Sequence, residues 1–74
     1  MTGRPVKHSL TLKGHRTSVS LEAAFWDAFR AIAAARGLPL NVLAAEIDAE
    51  RSADVGLASA IRVYILNELQ QKPG

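Results

Sequence analysis

"HRTSVSLEAAFWDAF", residues 15–29, changes periodicity part-way along. As far as Leu21 polar and apolar residues alternate, which is the repeat of a strand with one buried face. From Glu22 the apolar residues fall at helical spacing, with neither proline nor glycine between the two patterns. A chain of 74 residues that gives this much of itself to one short strand needs a reason, and the residues just upstream supply part of it.

In "SLTLKGHRTSVSL", residues 9–21, the apolar positions are Leu10 and Leu12 before the glycine and Val19 and Leu21 after it, with Thr17 tolerable on the same side. Each half alternates. A two-residue turn at Gly14-His15, glycine first as a type II′ turn prefers, sets Lys13 opposite Arg16, Leu12 opposite Thr17 and Leu10 opposite Val19. Both apolar sets then share one face. The other face carries Ser9, Thr11, Lys13, Arg16, Ser18 and Ser20. A polar outer face is ordinary for a half-buried sheet. Its freedom from Asp and Glu, beside flanking bases, is less so.

Downstream, Phe25, Phe29, Ile32 and Ala33 follow the i, i+4, i+7, i+8 stripe of an amphipathic helix, and "AIAAARG" ends it with a base in the last turn and glycine at the stop. The helix is expected from about Glu22 to Arg36, with Phe25 and Phe29 in the core. Trp26 lies beside the stripe, a position that flanks the core or faces a partner subunit, and structural packing is its simpler role. A second helix opens at "GLPLN", with Pro39 expected in its first turn, and a stripe of Leu40, Leu43, Ala44 and Ile47. Glu46, Asp48 and Glu50 crowd its C-terminal half, where acids oppose the macrodipole and suit a solvated face. "RSADVG" reads as a polar connection. "LASAIRVYILNELQ" reads as a third helix with Leu57, Ile61, Tyr64, Ile65 and Leu69 near one stripe. The expected division is a flexible basic N-terminus at 1–7, one domain at 8–70 and a frayed C-terminus at 71–74.

Composition narrows the function. A 7.9 kDa chain buries too small a share of its surface to be comfortably stable alone. With no cysteine, disulfides and thiolate metal sites are excluded as its staple, which leaves oligomerisation. No apolar run approaches the roughly 18 residues of a membrane span, and the N-terminus lacks the apolar core of a signal peptide. A cytoplasmic protein that meets no membrane is expected. Of nine Lys and Arg, four lie in residues 1–16 (Arg4, Lys7, Lys13, Arg16) with no acid, so residues 17–74 hold five bases against seven acids, a net −2. The basic end has one address, and a polyanion contact competes there with a merely solvated tail.

Catalysis has little to stand on. His8 and His15 lack a carboxylate neighbour in sequence, phosphate-cradling and zinc motifs are absent, and the serines lack a nearby base. Glu46 and Glu50 could share a helical face, but such a pair on an acidic helix is far more often surface than an acid/base dyad. Neither enzyme activity nor a cofactor or metal is expected.

The order strand, helix, "RG" turn, helix resembles the ribbon-helix-helix family of DNA-binding proteins, the group that includes the Arc and methionine repressors. The resemblance covers about residues 15–51 and rests on "RTSVSL", the first helix, Gly37 and "LPLN". With "HSLTLKGHRTSV", "FWDAF", "EID" and the third helix, the whole chain looks like a bacterial subfamily of that fold. It implies a mainly α protein with a short β-ribbon. One strand from each of two chains pairs antiparallel in an intertwined homodimer, with a C-terminal helix and an N-terminal hairpin strand added.

It also implies the site. The outward strand positions that touch base edges fall on Arg16, Ser18 and Ser20, and a guanidinium grips guanine through two acceptors more decisively than serine does. The start of the second helix, the family's phosphate anchor, falls on Pro39, Leu40 and Asn41. The N–H groups of Leu40 and Asn41 would serve there without a basic side chain, while Lys13, Lys7 and Arg4 add phosphate contacts. Pro39 stands where the family often has serine or threonine, so a hydroxyl and an N–H are missing. If "SLTLK" folds back, a dimer builds four strands with about 14 Å between outer axes, against a major groove about 12 Å wide that admits two. Either Leu10–Lys13 then moves aside or lies away from the ribbon, or the protein does not read DNA in the manner of the family. The implied function is a dimeric, sequence-specific transcriptional regulator bound to double-stranded DNA. The alternative is a protein-interaction module, an adaptor or antitoxin-like partner, that uses the fold to dimerise.

Overall fold

The computed structural model describes residues 3–71. Two strands and three helices follow in order: β1 (Val6–Leu12), β2 (His15–Leu21), α1 (Ala23–Arg36), α2 (Leu40–Glu50) and α3 (Leu57–Gln71). The sheet is the antiparallel pair β1-β2. Among the described residues no helix is long and apolar enough to cross a membrane.

The hairpin forms as its alternation requires, with the turn one residue earlier than expected. Lys13 and Gly14, not Gly14 and His15, occupy the two turn positions, with φ of 51° and 84°. Positive φ at both positions makes the turn type I′, whose twist matches that of the strands, and Gly14 takes its share without steric cost. Leu12 therefore pairs with His15, Leu10 with Thr17, His8 with Val19 and Val6 with Leu21. Each partner shifts by two residues, so no side chain changes face. Leu10, Leu12, Val19 and Leu21 all point into the core. β1 begins at Val6, inside the stretch expected to be a flexible tail, and Leu10–Lys13 remains in the hairpin rather than moving aside.

α1 is preceded by its N-cap Glu22, whose side chain makes no capping bond, and is closed by Gly37 in the left-handed region at φ 68°. The Gly37 N–H donates to Ala34 O at 3.1 Å and the Leu38 N–H to Ala33 O at 2.9 Å, the paired bonds of a Schellman motif. Leu38 packs against the core as that motif favours. Pro39 sits one position before its expected place, at the N-cap of α2, and its carbonyl accepts from the N–H groups of Val42 and Leu43. At the other end Arg51 hydrogen-bonds Asp48 at 2.7 Å and the Val55 carbonyl at 2.8 Å, holding the connection to α3.

The helices cover one face of the hairpin. Phe29 and Ala33 of α1, Leu43, Ala44 and Ile47 of α2, and Ile61 and Ile65 of α3 meet the four strand residues in one core, with no buried polar side chain among the described residues. Phe25, Ile32, Leu40, Leu57 and Tyr64 line its margin. Leu69 departs from its expected place: at 55% exposure it lies outside the core, as do Val63 and Leu66. α3 carries more apolar positions than its neighbours can cover. Its last residue, Gln71, is still helical, and the rest of the expected frayed end, 72–74, lies outside the described residues.

Candidate nucleic-acid interface

The apolar face of the hairpin being committed to the helices, its other face is left to solvent. Lys7, Ser9 and Thr11 of β1 and Arg16, Ser18 and Ser20 of β2 all lie there, and all are exposed. The register sets them side by side as Thr11–Arg16, Ser9–Ser18 and Lys7–Ser20. Lys13 crowns the turn, and Arg4 precedes β1, both exposed. The structure thus gathers the expected base-facing residues with Lys7 on one surface and puts Lys13 at its tip.

The charges on this surface differ from those elsewhere. Among the described residues the ion pairs are Arg36–Glu46 at 3.7 Å, Arg51–Asp48 at 2.7 Å and Arg62–Glu22 at 2.8 Å, all within the helical layer or its junction with β2. Arg4, Lys7, Lys13 and Arg16 enter none of them, and no acid lies in residues 3–21. Of the arginines after β2 among the described residues, Arg36, Arg51 and Arg62 are locally neutralised and Arg30 is not, while the bases of the hairpin have no acid near them in sequence and are free to meet an anion.

Leu40 and Asn41 open α2, and their N–H groups are its first two, ahead of those that bond the Pro39 carbonyl. Leu40 is half-buried against the core, whereas Asn41 is exposed. The Asn41 side chain serves the fold, since its Oδ1 accepts the Thr11 N–H at 3.1 Å. That bond fastens the start of α2 to the outer edge of β1. It also shows that the Thr11–Arg16 pair is one whose backbone groups point outward. By alternation, Arg16, Ser18 and Ser20 direct their N–H and C=O groups to the open edge of β2. The Ser20 carbonyl accordingly accepts from Arg62 Nη2 at 3.3 Å.

Arg62 reaches there from α3. It also holds the Glu22 carboxylate at 2.8 Å and lies over the Phe25 ring, 5.5 Å from its centroid. Its hydrogen bond, helped by the Glu22 backbone N–H, holds the Glu22 carboxyl below the ordinary value. His8 stacks on Trp26 with centroids 3.8 Å apart and planes 3° from parallel, joining β1 to α1. The Asn41–Thr11 bond, the Arg62 contacts and this stack are not visible in the sequence, since each joins residues far apart in the chain. Periodicity carries no sign of such pairs.

This arrangement of a hairpin with one basic outer face on a helical layer agrees with what known proteins show. A family model described as Ribbon-helix-helix domain matches residues 5–69. No curated protein and no solved structure matches the chain. The fold is typical of DNA-binding regulators and antitoxins. With the match spanning the hairpin, α1, α2 and nearly all of α3, the chain belongs to the ribbon-helix-helix domain family.

Proposed function

We propose that this protein is a dimeric, sequence-specific DNA-binding regulator that presents the outer face of its hairpin to duplex DNA. The observation that carries the reading is the division of charge: the bases at the hairpin are unpaired and no acid lies in residues 3–21, whereas three of the four described arginines after β2, all but Arg30, are ion-paired. Arg16, Ser18 and Ser20 are the base-facing candidates. Lys7, Lys13 and Arg4, with the N–H groups of Leu40 and Asn41, are the phosphate contacts.

A second copy joins along β2. The outward backbone groups of Arg16 and Ser18 form an open edge, and such an edge is a template for another strand. A chain of this size buries a small share of its surface alone, and a second copy on this edge would bury more.

A protein-interaction module is the second reading, and the apolar surface of α3 favours it. Val63, Leu66 and Leu69 are each more than half exposed, and Leu69 borders a groove lined by Ala28, Ala31, Ile32 and Ala35. The readings part on Arg16→Ala, assayed by fluorescence anisotropy on labelled duplex DNA. Lost affinity and relaxed sequence preference support the regulator. Unchanged affinity removes Arg16 from the site, and absence of binding by the unaltered protein turns the reading to a protein partner.

A further inference from the structure

Every outward side chain of β2 has an outward neighbour on β1 along the full length of the hairpin, from Thr11–Arg16 to Lys7–Ser20. The edge of β1 is tied to α2 through the Asn41–Thr11 bond. The β2 edge is held at Ser20, through one carbonyl. A carbonyl has two acceptor sites, so Arg62 and a partner strand's N–H can share it. Pairing along β2, with Ser18 opposite Ser18 of the second copy and Arg16 opposite Ser20, therefore breaks no hydrogen bond of the protomer. The product has strand order β1-β2-β2-β1.

Four strands at ~4.8 Å spacing put the outer axes about 14 Å apart, and the major groove is about 12 Å wide. The outer pair of strands meets the phosphate lines before the inner pair reaches the groove floor, which lies about 8.5 Å down. A serine hydroxyl stands one bond from Cβ and stays near the sheet. A guanidinium ends a three-carbon stem.

We infer that β1 rests on the phosphate backbone, through Lys7 and its equivalent in the second copy, and that Arg16 alone among the outward residues of β2 reaches base edges. Ser18 and Ser20 point toward the groove but fall short of the base edges and face water. The inference rests on the DNA-binding reading above and divides its site into one specificity-determining residue and a pair of flanking phosphate supports. Sequence preference is accordingly narrow: two short blocks, one for each Arg16, with guanine the favoured partner.

Selection of bound duplexes from a randomised pool tests this, run with the unaltered protein and with Lys7→Ala, Arg16→Ala, Ser18→Ala and Ser20→Ala. All four positions are exposed, so folding is retained. Arg16→Ala is expected to flatten the preference at its block by at least about fivefold. Ser18→Ala and Ser20→Ala are expected to leave the selected sequence unchanged. Lys7→Ala should weaken all sequences alike and make log K against log salt shallower by about 1.8, one phosphate from each of two chains. A serine variant that alters the selected sequence as strongly as Arg16→Ala overturns the inference, since the inner strands then sit in the groove. An unchanged salt slope for Lys7→Ala overturns the placement of β1. Failure of the unaltered protein to bind any duplex overturns the DNA-binding reading itself, and is told apart by appearing before any substitution is made.

Discussion

The Asn41 side chain accepts the Thr11 backbone N–H at 3.1 Å, across thirty positions of sequence. It fixes the start of α2, with the two proposed phosphate contacts at the N–H groups of Leu40 and Asn41, to the edge of β1. Asn41→Ala should cost about 0.5–1.5 kcal/mol of stability, the net worth of one such bond. Hydrogen exchange should show faster exchange of the Thr11 amide, and DNA affinity should fall by more than the stability loss explains.

Turn chemistry gives a prediction of opposite sign. Lys13 holds φ 51°, a region where a side chain other than Gly, Asn or Asp is strained. Lys13→Asn, creating the preferred Asn-Gly pair, should stabilise the hairpin by a few tenths to about 1 kcal/mol. Gly14→Val should destabilise it, since Gly14 stands at φ 84°. Thermal denaturation checks both. Because Lys13→Asn also removes a proposed phosphate contact, it should raise stability while lowering DNA affinity.

The His8–Trp26 stack is the main aromatic link between the hairpin and α1. His8→Ala should lower stability by about 0.5–1.5 kcal/mol, the usual worth of an aromatic pair, and should shift the emission of Trp26, the single tryptophan. Phe29→Ala, at a fully buried position, should cost about 3–5 kcal/mol. That is enough to unfold much of so small a domain. Urea titration followed by tryptophan fluorescence separates the two cases.

Acid should weaken the junction of β2, α1 and α3. Arg62 holds the Glu22 carboxyl below its ordinary value of 4.5. The stability this contributes is fully present above that value and is lost as pH falls through the lower folded-state value. Glu22→Gln should therefore narrow the gap between melting temperatures at neutral and strongly acidic pH. Melts across that range check the sign.

Much of this fold is legible in the sequence because its signals are local. The apolar sets of both strands, the glycine stop at Gly37 and the stripe Leu43, Ala44, Ile47 follow from periodicity and end chemistry. The turn falls one residue from its expected place because Lys13-Gly14 and Gly14-His15 both satisfy a glycine-containing turn, and the choice leaves every face unchanged. Leu69 lies outside the core because a helical stripe tells which residues share a side, not whether neighbouring elements reach the helix end. Asn41, Arg62 and His8 acquire their partners only when the chain folds. For the site, the basic character of the outer face can be read from sequence. The proposed division of labour between β1 and β2 requires the register.

The most direct test of the central claim is the anisotropy of a labelled mixed-sequence duplex titrated with the protein over a series of salt concentrations. Contact between the unpaired hairpin bases and phosphate predicts affinity that falls steeply and log-linearly with salt, by about 0.9 in slope for each phosphate neutralised. Absence of binding at the lowest salt would contradict the account and leave the basic hairpin as a surface for assembly.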